Sequence, residues 1–209
     1  MDPAFAVLGI LAAITVGAIS PGPSFVLVAR IAVARSRADG LAAAVGMGAG
    51  GVILGGLALL GLQALLVQAG WLYVVLKLAG GLYLLYLAVM IWRGAEEPIA
   101  VAPVAPTDAA GLGRSFGLAL ATQVSNPKAI AVYGSIFAAL LPPEIPAWVL
   151  FALPLGLLLI EAGWYAVVAL AFSAARPRAA YLSAKRWVDR LAAAVMGVLG
   201  LRLLAEAAR

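Results

Sequence analysis

No charged side chain occurs between Gly40 and Leu76, a run of 37 residues. A helical membrane span needs about 20 apolar residues, so this run holds most of two passes. The rest of the chain reads the same way: 65% of its 209 residues are hydrophobic and 11% are charged. A soluble domain carries about a quarter charged residues, and no soluble core absorbs this much apolar side chain. The expected fold is therefore all-α, a polytopic membrane protein embedded in a lipid bilayer. A barrel would show short segments of alternating polarity instead.

Composition also excludes chemistry. The chain has neither cysteine nor histidine, which removes disulfides, thiol redox, haem and the usual transition-metal ligands. No cofactor and no metal site are expected. The net charge of +5 raises nucleic acid as a partner, but no basic stripe with interleaved aromatics is present, so none is expected. Basic residues instead collect in loops that stay in the cytoplasm. No nucleophile–base pair, paired carboxylates or phosphate loop marks an enzyme. The first apolar run has no Lys or Arg before it, whereas a signal peptide has a cationic start. Ala18-Ile19-Ser20 mimics a cleavage site, yet Pro21 would follow the cut, so this segment reads as a retained first helix.

Six spans can be placed: about Ala4–Ala29, Leu41–Val67, Trp71–Trp92, Phe116–Leu140, Ala147–Ala171 and Trp187–Leu204. The sixth is the weakest, with Asp189, Arg190 and Arg202 at its edges, and a re-entrant or interfacial segment is the alternative. Trp71, Trp92, Trp148 and Trp187 lie near span ends, as an aromatic belt requires. A linker over residues 94–113, rich in proline and alanine and without helical periodicity, separates two halves of three spans. The halves are residues 1–93 and 114–209 of one transmembrane domain, 1–209. Arg30, Arg35 and Arg37 follow span one, Arg93 and Arg114 flank the linker, and Arg176, Arg178, Lys185, Arg186 and Arg190 follow span five. The loops after spans two and four have no basic residue. The basic loops are thus expected in the cytoplasm and both termini outside.

Two spans contain helix breakers where lipid offers no water to the backbone. Ser20-Pro21-Gly22-Pro23 interrupts the first, and Ser125-Asn126-Pro127-Lys128 interrupts the fourth, about 105 residues later. Each break therefore sits in the first helix of its half. With three spans per half, the halves run in opposite senses, the pattern of a 3+3 inverted repeat. Irregular backbone at membrane depth is tolerated where protein buries it or where it lines a wet cavity. Half-helix N-termini there suit a carboxylate, and half-helix C-termini suit an ammonium. Paired breaks suit a zwitterion such as an amino acid. A plain proline kink is the alternative for either break alone.

Polar residues at depth extend the candidate site. Lys128 could hold a substrate carboxylate or alternate with an acidic partner during transport; alternatively it only neutralises helix-end carbonyls. Glu161 is the single mid-span carboxylate of the fifth span and could carry a proton coupled to solute movement. Its structural alternative is an ion pair with Lys128. Ser20, Gln123, Ser125 and Asn126 flank the breaks and could bond a substrate, though such residues also serve as packing hydrogen bonds. Lys77 reads as a snorkelling lysine. Gly46, Gly48, Gly50, Gly51, Gly55 and Gly56 allow close helix approach.

Four stretches resemble the LysE-type amino-acid exporter family: "SPGPSFVLVARIAVARSRADGLAAAVGMGAG", "LKLAGGLYLLYLAVMIWR", "FGLALATQVSNPKAIAVY" and "RLAAAVMGVLGLRLL". The resemblance implies efflux of amino acids or close derivatives across a bacterial inner membrane, driven by protons. It implies that Pro21, Gly22, Pro23, Asn126 and Pro127 frame the pathway. The branch that exports lysine and arginine tends to have an acidic residue shortly after its Asn-Pro, whereas Lys128–Tyr133 reads "KAIAVY". The chain is thus closer to the homoserine/threonine branch, and a neutral amino acid is favoured. Its partners would be that solute, a proton or another coupling ion, the bilayer, and a homodimer partner at most. A passive small-solute channel and a non-transporting scaffold subunit are the competing readings. Metal export is disfavoured by the missing Cys and His.

Overall fold

The computed structural model describes residues 2–68, 70–97, 111–141 and 145–208. Most of the linker expected at 94–113 lies outside the described residues. Among the described residues the chain forms eight helices and no strand. These are α1 (Pro3–Ile19), α2 (Pro23–Ala34), α3 (Arg37–Gln68), α4 (Gly70–Gly94), α5 (Leu112–Ser125), α6 (Pro127–Leu140), α7 (Val149–Phe172) and α8 (Ala175–Ala207).

The first break separates α1 from α2. The last N–H of α1 comes from Ser20, which bonds Val16 O, and the backbone at Ser20 then turns extended. Pro21 has no N–H to continue the ladder. Gly22, also extended, caps α2, and Pro23 occupies its first turn, where a missing N–H costs nothing. The two axes bend by 57°. The second break is a single residue. Asn126 is extended, as a residue before proline prefers. It closes α5 through its own N–H on Gln123 O and opens α6 by accepting from Lys128 N at 3.0 Å.

By length and composition, Arg37–Leu62, Val74–Gly94 and Val149–Phe172 can each cross a membrane, and α1 with α2 makes a fourth if the bent pair is one span. The apolar α6 has 14 residues. The segment read as a sixth span lies inside α8, which runs unbroken for 33 residues.

Packing follows the small residues. α3 rests on α5 and α7, and α4 rests on α8. The pieces of the broken helices pair crosswise, α1 with α6 and α2 with α5. Large apolar side chains such as Phe5, Leu57, Leu60, Phe151 and Leu159 point outward, as they would toward acyl chains. Trp71 and Trp148 are exposed where α4 and α7 begin, and Trp92 and Trp187 are exposed at the opposite end.

The interior is layered. One apolar cluster contains Ile14, Leu54, Val132 and Leu157, and a second contains Phe25, Met47, Ala119 and Tyr165. Along α1 and α2, α3, α5 and α6, and α7, the polar or glycine residues Ser20–Ser24, Gly50–Gly51, Gln123–Lys128 and Glu161 fall between the two clusters. A polar slab therefore crosses the bundle at the level of both breaks.

Candidate functional site

A chain of hydrogen bonds ties the two breaks together. Asn126 Nδ2 donates to Ser24 Oγ at 2.9 Å, and Ser24 Oγ donates to Gln123 Oε1 at 2.7 Å. Gln123 Nε2 then donates to Glu161 Oε2 at 3.3 Å, while the Tyr133 hydroxyl donates to Glu161 Oε1 at 2.9 Å. Every donor points down the chain toward Glu161, which accepts at both oxygens. Burial of the acid is compensated by these two bonds rather than by a cation. Lys128 and Glu161 form no ion pair, so the pairing expected as an alternative for Glu161 is replaced by Gln123 and Tyr133.

Lys128 instead serves the end of α1. Its Nζ donates to Ser20 O at 2.9 Å, and the Tyr181 hydroxyl donates to the neighbouring Ile19 O at 3.4 Å. These are orphan carbonyls of a helix end, acceptors that the interrupted ladder leaves for side chains to satisfy. The lysine stem lies over Gly22: a Cβ there would sit 3.3 Å from Lys128 Cδ. The Ser20 hydroxyl is buried and has no hydrogen-bond partner.

Glycines on α3 set these distances. A Cβ on Gly50 would meet Gln123 Cβ at 2.7 Å, and one on Gly51 would meet the Tyr133 hydroxyl at 2.8 Å and Glu161 Cγ at 3.0 Å. Only a bare backbone lets α5 and α7 approach α3 closely enough for Gln123 to reach Glu161.

Two spaces adjoin this network. An inner cavity of about 30 Å³ is lined by Ser24, Gln123, Asn126, Tyr133 and Glu161, among others. Water needs about 10–15 Å³ on the same measure, so the cavity has room for a water or two. A wider vestibule of about 500 Å³ extends past Pro21, Pro23 and Arg30 to Gly94, Lys185 and Asp189. Ser20, Gly22 and Lys128 line both spaces. Lys128 is thus the partition between them. The first turns of α2 and α6 also border the inner cavity, through Ser24, Phe25, Lys128 and Ala129, and α2 has no side-chain cap. The uncapped N-terminus of α2 therefore brings its positive dipole end to this small space, beside the N-terminus of α6, which Asn126 caps.

Residues 15–207 match the family of LysE type translocators. The chain belongs to this family. It is 34% identical over 194 residues to the threonine efflux protein of Escherichia coli strain K12, covering 90% of this chain and 92% of that protein. It is 35% identical over 193 residues to the threonine efflux protein of Salmonella typhi, covering 90% and 92%. It is 30% identical over 206 residues to the uncharacterized membrane protein YahN of Escherichia coli strain K12, covering 99% and 92%. No solved structure matches it.

In this LysE-family chain the residues singled out by sequence fall into two groups. Ser20, Gly22, Gln123, Asn126, Lys128 and Glu161 border the inner cavity, and Pro21 and Pro23 border the vestibule. Ser125 and Pro127 line neither space. The Ser125 hydroxyl is exposed and donates back to Ala121 O at 2.7 Å. Pro127 makes the break without facing it. Sequence reasoning passed over Ser24, Tyr133, Tyr165 and Asp189. Ser24 lies next to the "PGP" break and Tyr133 one helical face beyond "NPK", which is the signal that could have found them. Asp189 sits at the edge of the sixth segment, where a carboxylate looks like a headgroup contact.

Proposed function

We propose that the chain is a secondary transporter that exports a neutral amino acid or close derivative, threonine- or homoserine-like, across the bacterial inner membrane, coupled to protons. The observation that carries this reading is the double role of Lys128, which borders both the inner cavity and the vestibule and is held by Ser20 O. A substrate carboxylate entering from the vestibule can replace that carbonyl at the ammonium. The uncapped positive end of α2 then favours its passage inward. Glu161 gathers the polar chain from Asn126 onward, and it is the proton carrier in this scheme. The names of the threonine efflux relatives support the solute class.

The architecture proposed is six spans in a single domain, as a 3+3 inverted repeat in which α5 with α6 answers α1 with α2, α7 answers α3, and α8 answers α4. Crosswise pairing of α1 with α6 and of α2 with α5, and pairing of α3 with α7 and α4 with α8, is what a two-fold axis in the membrane plane would produce. The vestibule reaches the end of the bundle that carries Arg30, Gly94 and Lys185. Basic loops stay inside, so this end is assigned to the cytoplasm, where an exporter loads.

A growth panel tests the reading. Cells overproducing the protein are challenged with threonine, homoserine and toxic neutral analogues. Resistance and faster efflux of labelled threonine are expected, and both should disappear in Asn126→Ala. Efflux that persists at full rate after the proton gradient is collapsed would point to a passive channel instead.

A further inference from the structure

The vestibule holds a second polar constellation that the scheme above leaves unused. Asp189, on α8, is 4% exposed and lines the vestibule. Its Oδ2 pairs with Lys185 Nζ at 2.8 Å. Lys185 in turn donates to the carbonyls that end α4, Gly94 O at 2.8 Å and Ala95 O at 3.2 Å. The carboxylate is therefore held firmly by one oxygen, while its other oxygen, Oδ1, is buried with no hydrogen-bond partner. A buried acceptor without a donor is rare and costly. Lys128 lines the same vestibule and lies within electrostatic reach of Asp189.

A plain helix staple accounts for part of this. Lys185 and Asp189 are one turn apart, and together they pin α8 to the end of α4. That role uses Oδ2 and leaves Oδ1 unexplained. Arg30, Glu97, Lys128, Lys185 and Asp189 are the charged residues lining this space of about 500 Å³, and among them the Asp189 carboxylate with its unbonded oxygen and the Lys128 ammonium are the complement of a molecule with one ammonium and one carboxylate.

We propose that the vestibule is a loading subsite for α-amino acids, in which Asp189 Oδ1 accepts the α-ammonium and Lys128 Nζ takes the α-carboxylate before the solute passes inward. The proposal rests on the export reading and adds a second, outer site to it. Recognition at both ends selects zwitterions over monoanions: a 2-hydroxy acid of the same shape lacks the group that Asp189 binds.

Everted membrane vesicles present the cytoplasmic face to the medium, so loading is read as uptake of radiolabelled L-threonine. Wild type, Asp189→Asn and Asp189→Glu are compared at matched protein levels, with 2,3-dihydroxybutyrate as the competitor that lacks the ammonium. Asp189→Asn should raise the KM for threonine about tenfold and reduce the preference for threonine over the hydroxy acid by about the same factor, the loss expected for one charge-assisted bond. Asp189→Glu should restore most of both. Asp189→Ser provides the same comparison where the Asn variant fails to insert. A neutralised variant with unchanged KM and unchanged preference overturns the loading subsite while leaving the export reading intact, and so does one that is merely less stable with its preference kept. Wild-type vesicles that take up no amino acid overturn both.

Discussion

Asn126 Nδ2 and Ser24 Oγ meet at 2.9 Å although 102 residues separate them in the chain. Each belongs to a helix break, so this bond joins the two irregular points of the bundle directly. Ser24 is also the donor to Gln123. Ser24→Ala would leave a buried amide donor and a buried amide acceptor without partners, a loss of about 2 kcal/mol. A lower melting temperature in detergent and loss of export are the expected results. Ser125→Ala, whose hydroxyl only bonds its own helix, should match wild type in both measurements.

The glycines of α3 make a contrast within one helix. Gly51→Ala would push a methyl into Tyr133 and Glu161, and overpacking of this kind costs about 1–3 kcal/mol. Nothing lies within 4 Å of a Cβ built on Gly56, so Gly56→Ala should be neutral or gain about 0.5–1 kcal/mol from helix propensity. Thermal unfolding of the two purified variants separates the cases. Equal melting temperatures would remove the close-packing account of the Gln123–Glu161 bond.

Glu161→Gln keeps an acceptor for Tyr133 but cannot exchange a proton. In proteoliposomes this variant should lose its response to an imposed pH gradient while retaining amino-acid counterflow and normal membrane levels. A gradient response equal to wild type would take Glu161 out of the coupling step.

Lys128→Met removes the donor that serves Ser20 O and the charge between the two spaces. Efflux of labelled threonine should fall about tenfold or more, with Lys128→Arg recovering part of it because a cation still reaches the end of α1. Full activity in Lys128→Met would show that the partition is passive.

Much of this molecule is legible in its amino-acid order. The 37-residue uncharged run becomes α3 and the start of α4, and the residues PGP and Asn-Pro mark the two points where helices stop, because proline acts on its own backbone and needs no partner to do so. The site is only half legible. Ser125 and Asn126 are equivalent by type and neighbours in sequence, yet Asn126 faces the interior and Ser125 faces out, because one extended residue reverses the side that the chain presents. Lys128 sits beside Glu161 in any list of buried charges, but the helix end at Ser20 competes for its ammonium and wins. Asp189 is read from sequence as peripheral, since α8 carries it between basic residues that suit headgroups. Its burial depends on where α4 ends, which is a tertiary fact.

In the proposed scheme, an ammonium set between two spaces also decides what does not pass. Sodium and potassium approaching Lys128 from the vestibule would meet a like charge at a constriction where they are partly dehydrated and repulsion is strong. Molecules that carry their own anion do not. Under the proposed export scheme, a cell would keep its membrane voltage while shedding metabolites, because the inorganic cations that would short-circuit it are turned back by the same side chain that admits the cargo.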